Sequence, residues 1–225
     1  MTTCVSPCTA MDLQIRKCRA EDAAFLAKSI LIAGRAHVSK GIWEFVLNGP
    51  EEECLRFLEH IVVTEIPHLF HYTCYFIAET TDNVPVGSLG GYDPKKSGYQ
   101  ALQQAFPEVY KKLNLPRQAF QKANERATAI LTCLPADIDN AWVIDSVATM
   151  PEYRGRGVAE RLLEAVMAEG RKQGYSLAQI VMYDGNEPAL RLYKKMGFEV
   201  IEETRDTFFE KEICTPGMLS LSRKL

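Results

Sequence analysis

Three groups of residues in the last third of the chain have types and spacings that could do chemistry. The first is the run Pro151-Glu152-Tyr153-Arg154-Gly155-Arg156-Gly157-Val158-Ala159, set between an apolar segment and an amphipathic one. The opening amides of a helix have no internal partner and carry partial positive charge, so amides across a glycine turn could wrap an anion. Gly155 and Gly157 permit positive φ and close approach, and Ala159 keeps the wall low. A nucleotide P-loop is excluded because no Gly-Lys-Ser/Thr is present. A dinucleotide fingerprint fails because Glu160 stands where a small residue is needed. Without a strand before it and a helix after it, the same run would be an ordinary exposed turn.

The second group is Asn186 with Tyr193. Seven residues are two helical turns, so both side chains share one face of a helix. Taken singly, Asn186 reads as a helix N-cap and Tyr193 as a buried aromatic. The third is Asp145, which interrupts the apolar stretch Trp142, Val143, Ile144 and Val147. A carboxylate in such a place is costly unless it has a partner, such as nearby backbone, or a purpose.

Elements that could position these groups can be read from the apolar spacing. Trp142 to Thr149 has the pattern of a buried strand, and Val158, Leu162, Leu163, Val166 and Met167 share one helical face that ends at Gly170 and Gly174. Leu177 to Tyr183 reads as a strand, Glu187 to Lys195 as a helix stopped by Gly197, and Phe198 to Glu203 and Met218 to Ser222 as two final strands. Upstream, Leu13 to Cys18 is a short strand and Ala23 to Ile32 a helix, while Trp43 to Leu47 is an apolar patch in a loop region. A helix opens at Glu51 to Glu53, and Thr73 to Glu79 with Val84 to Tyr92 makes an antiparallel pair that its glycines leave easy to bend.

Residues 94 to 140 are polar and favour helix around Gln100 to Tyr110 and Arg117 to Leu131. They carry seven basic and four acidic side chains, net +3, which leaves −6 on the rest of a chain whose total is −3. Their apolar residues are too few for a core of their own, so they are expected to be a helical insertion in a single domain over 12–225, preceded by a disordered tail at 1–11.

Composition narrows the function classes. The near balance of 26 basic and 29 acidic residues gives no reason to expect nucleic acid or a membrane surface as partner. Seven scattered cysteines without CxxC spacing fit reduced thiols better than disulfides or zinc, and Cys4 with Cys8 reads as two free thiols on the tail. No apolar stretch is long enough to span a bilayer and Met1 to Met11 lacks the parts of a secretory signal, so a cytoplasmic location is expected.

The glycine run resembles the Arg/Gln-x-x-Gly-x-Gly/Ala signature of the GNAT acetyltransferase superfamily, here Arg154-x-x-Gly157-x-Ala159. Asn186 to Phe198 resembles its second cofactor segment, and the close likeness covers about residues 142 to 200. The resemblance implies a mixed α/β fold with a mostly antiparallel sheet of about seven strands flanked by helices, the insertion lying between the third and fourth strands. It implies acetyl-CoA as cofactor without a metal, its diphosphate held between Arg154 and Ala159 and its arm paired with the main chain at Val147, Ala148 and Thr149 and held by Asn186. It implies Tyr193 as the acid for the departing thiolate and Asp145 as a base, with Trp43 and Glu44 bordering the acceptor site. A phenol of pKa roughly 10 is a sensible donor to a thiolate whose acid lies near roughly 8.5.

The expected reaction is transfer of an acetyl group from acetyl-CoA to a primary amine by direct attack. The acidic background favours a small cationic acceptor. A protein or peptide acetyltransferase with a basic docking insertion, or a non-catalytic acyl-CoA sensor, are the alternatives. The resemblance also admits a homodimer. Almost fifty residues where the superfamily has a short connection leave the acceptor itself open.

Overall fold

A computed structural model describes residues 12–225; the expected tail, with Cys4 and Cys8, lies outside the described residues. Strand β1 (Leu13–Lys17) pairs antiparallel with β2 (Tyr75–Thr80), β2 with β3 (Pro85–Tyr92), and β3 with β4 (Ala141–Thr149). Next, β5 (Leu177–Tyr183) pairs parallel with β4, and β7 (Gly217–Lys224) sits between β5 and β6 (Glu199–Arg205). The order β1-β2-β3-β4-β5-β7-β6 is a seven-stranded, mostly antiparallel mixed sheet, as the resemblance implies.

Side chains alternate across the sheet, so each strand feeds two cores. In β2, Tyr75 and Ile77 enter one and Phe76 and Ala78 the other. The first core is covered by α1 (Ala23–Arg35), α2 (Ile42–Leu47) and α3 (Glu51–Ile61), whose buried residues include Leu26, Ile30, Trp43, Phe57 and Leu58. The region expected as an insertion supplies a one-turn α4 (Pro94–Ser97), then α5 (Tyr99–Lys112) and α6 (Arg117–Leu131). Leu102, Ala105, Val109 and Tyr110 of α5 and Ile130 of α6 join this same core, with the Tyr110 ring 5.5 Å from that of Phe57. These helices therefore use the shared core rather than one of their own.

The second core lies under α7 (Val158–Lys172), with Tyr193 from α8 (Glu187–Lys195) in the same cluster. Two local expectations need correcting, and one element was not expected. Trp43 to Leu47 forms the helix α2, not a loop; Glu44 accepts the Gly41 N–H at 3.0 Å and so caps its start. Gly170 does not end α7 but lies inside it, because a Cβ there would sit 2.8 Å from Trp142 Cδ1; the helix runs on to Lys172 and the chain turns at Gly174, φ 88°. A further helix, α9 (Thr207–Ile213), escaped the periodicity reading because it is only two turns long; its signal is Asp206, whose Oδ1 accepts the Phe209 N–H at 2.7 Å.

The glycines of β3 serve close packing. A Cβ on Gly91 would overlap Val166 Cγ2 of α7 and lie 2.7 Å from Trp142 Nε1, and Val166 is fully buried. Gly91→Ala is therefore expected to cost about 1–3 kcal/mol by overpacking, a fall of several degrees in the midpoint of thermal unfolding. An unchanged midpoint would show that α7 can move off the sheet freely.

Candidate active site

The centre of the sheet comes apart. Four residue pairs, Ala141–Ile144 with Leu177–Ile180, join β4 to β5; beyond them the strands part, while β5 stays paired to β7 through Tyr183. At the same level β4 carries a bulge. Gly90 faces Asp145 and Ser88 faces Ala148, so Ser146 and Val147 have no register partner on β3 or β5 among the described residues. Ser146 takes φ 51°, a left-handed conformation costing about 1–2 kcal/mol for an ordinary L residue. The parted strands open a cavity of about 740 Å³ that reaches both faces of the sheet.

One end of the cavity is the glycine turn. Strand β4 leads through Met150 and the 3-10 turn Pro151–Tyr153 to Gly155 and Gly157, at φ 72° and 79°, and α7 starts at Val158. Among the described residues no side chain caps this helix start, and a Cβ on either glycine would meet nothing within 4 Å. Helix geometry leaves the amides at the start of α7 without internal acceptors. Arg154, Gly155, Gly157, Val158 and Ala159 line the cavity here, as do Val147, Ala148 and Thr149 from β4. Arg156 does not: its guanidinium lies over the Tyr153 ring, 5.6 Å from the centroid.

Asn186 and Tyr193 of α8 both line the cavity, as their spacing requires. Asn186 is also the cap of α8, its Oδ1 accepting the Ala189 N–H at 3.4 Å. Tyr193 is 5 % exposed, and burial followed by the charge of Asp145 holds its phenol well above the ordinary range. Asp145 lies where the strands part, with Ser146 Oγ donating to its Oδ1 at 3.0 Å. Burial pushes its carboxyl above the usual carboxylate range, opposed by hydrogen bonds from Ser146 and reinforced by the charge of Asp137.

The two residues expected beside the acceptor part company. Trp43 lines the cavity but is 6 % exposed, its ring packed edge-on against Phe70 at 5.0 Å. Glu44 is not on the cavity wall. It is committed to Arg35, which also donates to Glu51 at 2.6 Å, and to the Gly41 amide. Other cavity residues, Tyr92, Tyr99, Asp137, Ser146 and Tyr183, went unnoticed in the sequence. Ser146 carries no signal for its conformation, whereas Asp137 and Tyr99 were within reach, being functional side chains in the anomalous long connection. Among the described residues there is no cluster of three or more metal-ligating side chains, and no helix is long and apolar enough to cross a membrane.

Residues 43–198 match the acetyltransferase (GNAT) family, and the chain belongs to it. It is similar to a thialysine N-epsilon-acetyltransferase of Mus musculus, 28% identical over 27% of this chain and 36% of that protein. It is 31% identical to an N-alpha-acetyltransferase of Sulfurisphaera tokodaii over 35% of this chain and 47% of that one. These matches thus span about a third to a half of each relative. In fold it resembles the crystal structure of an N-acetyltransferase from Staphylococcus aureus Mu50, with TM-score 0.68, 22% identity, and coverage of 93% and 100% of the two chains.

The uncapped start of α7 and the unpaired edge of β4 could hold the coenzyme A moiety of acetyl-CoA, the group this family uses. Amides and Arg154 suit a diphosphate, and the free main chain at Val147 suits an amide-bearing arm. Gly157→Val would put a branched side chain into that space and strain a positive φ. Calorimetry is expected to show coenzyme A binding weakened at least about tenfold, or about 1.4 kcal/mol. Wild-type affinity in this variant would place the diphosphate elsewhere.

Proposed function

We propose that this protein is an N-acetyltransferase that moves an acetyl group from acetyl-CoA to a primary amine by direct attack within a ternary complex. The observation that carries this reading is the parted pair β4 and β5, which brings a carboxylate and a phenol to one cavity beside the glycine turn. The relatives, an N-epsilon- and an N-alpha-acetyltransferase, support an amine as acceptor. When bound, acetyl-CoA supplies the acetyl group as a thioester with an electrophilic carbonyl.

The chain's own groups divide the work. Asp145, in its ionised form, takes the proton that the amine sheds as it attacks; Ser146 Oγ fixes the orientation of the carboxylate. The unpaired backbone at Ser146 and Val147 offers N–H groups to the developing oxyanion. Tyr193, kept protonated by burial, gives its proton to the departing sulfur. Asn186 and the glycine turn hold the ligand so that only the orientation of the amine remains to be set. A sensor of acyl-CoA would need neither Asp145 nor Tyr193, and an Asp buried in this way is a standing cost to the empty protein.

That cost has a sign. The native carboxyl keeps its proton to higher pH than the unfolded one, so between the two values the native state binds more protons and stability falls as pH rises. Asp145→Asn is therefore expected to raise the thermal midpoint at neutral pH while abolishing the acid limb of kcat/KM. Tyr193→Phe is expected to lower kcat by about a hundredfold or more, with coenzyme A affinity kept. Release of free thiol from acetyl-CoA, followed against pH, reads both; a wild-type profile in either variant assigns that proton transfer to another group.

A further inference from the structure

The cavity is electrically lopsided. Strand β4 lines it from Val143 to Thr149, and the pairing sets the order: Tyr92 lies opposite Val143, Gly90 opposite Asp145, and Gly87 opposite Thr149 next to the glycine turn. Among the described residues Arg154, at the turn, is the one Lys or Arg on the wall; Glu160 lines the same end, its carboxylate paired with Lys195 at 2.8 Å. The other end carries the half-buried Asp145 and the more exposed Asp137, and neither has an ion-pair partner among the described residues.

Asp137 belongs to the segment 132–140 that returns from α6 to β4, and it is held in place. Gln179 of β5 is fully buried, accepts the Ile138 N–H on its Oε1 at 2.7 Å and donates from Nε2 to the Ala136 carbonyl at 2.8 Å. A second bond from Nε2 to Ser220 Oγ, 2.9 Å, fixes the amide in turn. The backbone on both sides of Asp137 is thus clamped to the sheet, an arrangement a loose surface loop does not need. Two phenols complete this end. Tyr92 is 4 % exposed, lines the cavity, and its hydroxyl has no hydrogen-bond partner among the described residues. Tyr99 of α5 lines it too, and the phenols of both are pushed up by burial and then by the charges of Asp145 and Asp137. Unpaired carboxylates beside unpartnered hydroxyls and aromatic rings form an environment for an ammonium group.

We infer that the acceptor is a small diamine: one nitrogen reacts beside Asp145, and the second, as an ammonium ion, is held by Asp137 with Tyr92 and Tyr99 beside it. Asp137 is on this view a specificity residue contributed by the long connection, and Gln179 positions it. The inference rests on the proposed acetyl transfer and goes beyond it by fixing where the second charge sits.

The test is thiol release from acetyl-CoA with the full chain, comparing diaminobutane with butylamine and diamines from ethylene to hexamethylene with their monoamines. The diamine of best length is expected to exceed its monoamine at least about tenfold in kcat/KM. Asp137→Asn is expected to raise KM for that diamine about tenfold with little change in kcat, drawing the ratio towards one. Asp139→Asn, two residues along and paired with Lys95 at 2.6 Å, is expected to keep the preference. Equal use of mono- and diamines, or a preference that survives Asp137→Asn, overturns the inference and leaves acetyl transfer standing. Absence of thiol release with every amine overturns both.

Discussion

A parallel pair of strands that stops pairing halfway is the constraint on which this structure depends. Beyond Ile144 and Ile180 the backbone groups of two central strands lose each other as partners, and at Ser146 and Val147 a bulge shifts the register with β3 as well. Buried main-chain N–H and C=O groups are expensive to leave unpaired. The fold tolerates the gap because the rest of the sheet over-determines it: β5 is anchored along its full length to β7, and β4 is anchored to β3 on both sides of the bulge. The main chain of β4 left beside β5 without a register partner is what a ligand lying in the gap could pair with.

From that opening the other features gain their meaning. The close approach of α7, made possible by glycine at positions 87 and 91, fixes the uncapped helix start at one mouth of the gap. Helix α8 starts immediately after β5 leaves the gap, so its first two turns present Asn186 and Tyr193 to the same space. Asp145 stands at the last paired level before the bulge, where burial is deep enough to shift its carboxyl and Ser146 is close enough to orient it. Asp145 and Asp137 line the cavity away from the turn, and Asp137 is brought there by the connection that returns from α6 to β4.

How far the sequence reveals this depends on the length scale of each cause. Strand β5 and helix α8 coincide with their sequence readings because their signals are local: an apolar run bounded by turns, and a cap-to-glycine helix. The glycine turn is legible for the same reason, since positive φ at Gly155 and Gly157 is written in residue type. Helix α2 is not legible because Ile42 to Leu47 is apolar almost all round, a pattern without helical period, and Glu44, expected beside the acceptor, is claimed by Arg35, nine residues earlier. Gly170 misled because a glycine chosen for lack of a side chain against Trp142 looks like one chosen for its φ. The bulge left no trace in residue type, and the far wall of the cavity depends on how a long connection folds back, a tertiary matter that Gln179 settles from another strand.

The claim beneath all of this is that the amides between Arg154 and Ala159 converge on a diphosphate. It is tested most directly by amide nuclear magnetic resonance of the labelled protein, titrated in parallel with coenzyme A and with pantetheine, which lacks the diphosphate. Large shifts of the Gly155, Gly157 and Ala159 amide signals with coenzyme A, and little change there with pantetheine, are the expected result. Signals that stay in place with coenzyme A at saturation, or that move equally with both, would contradict it.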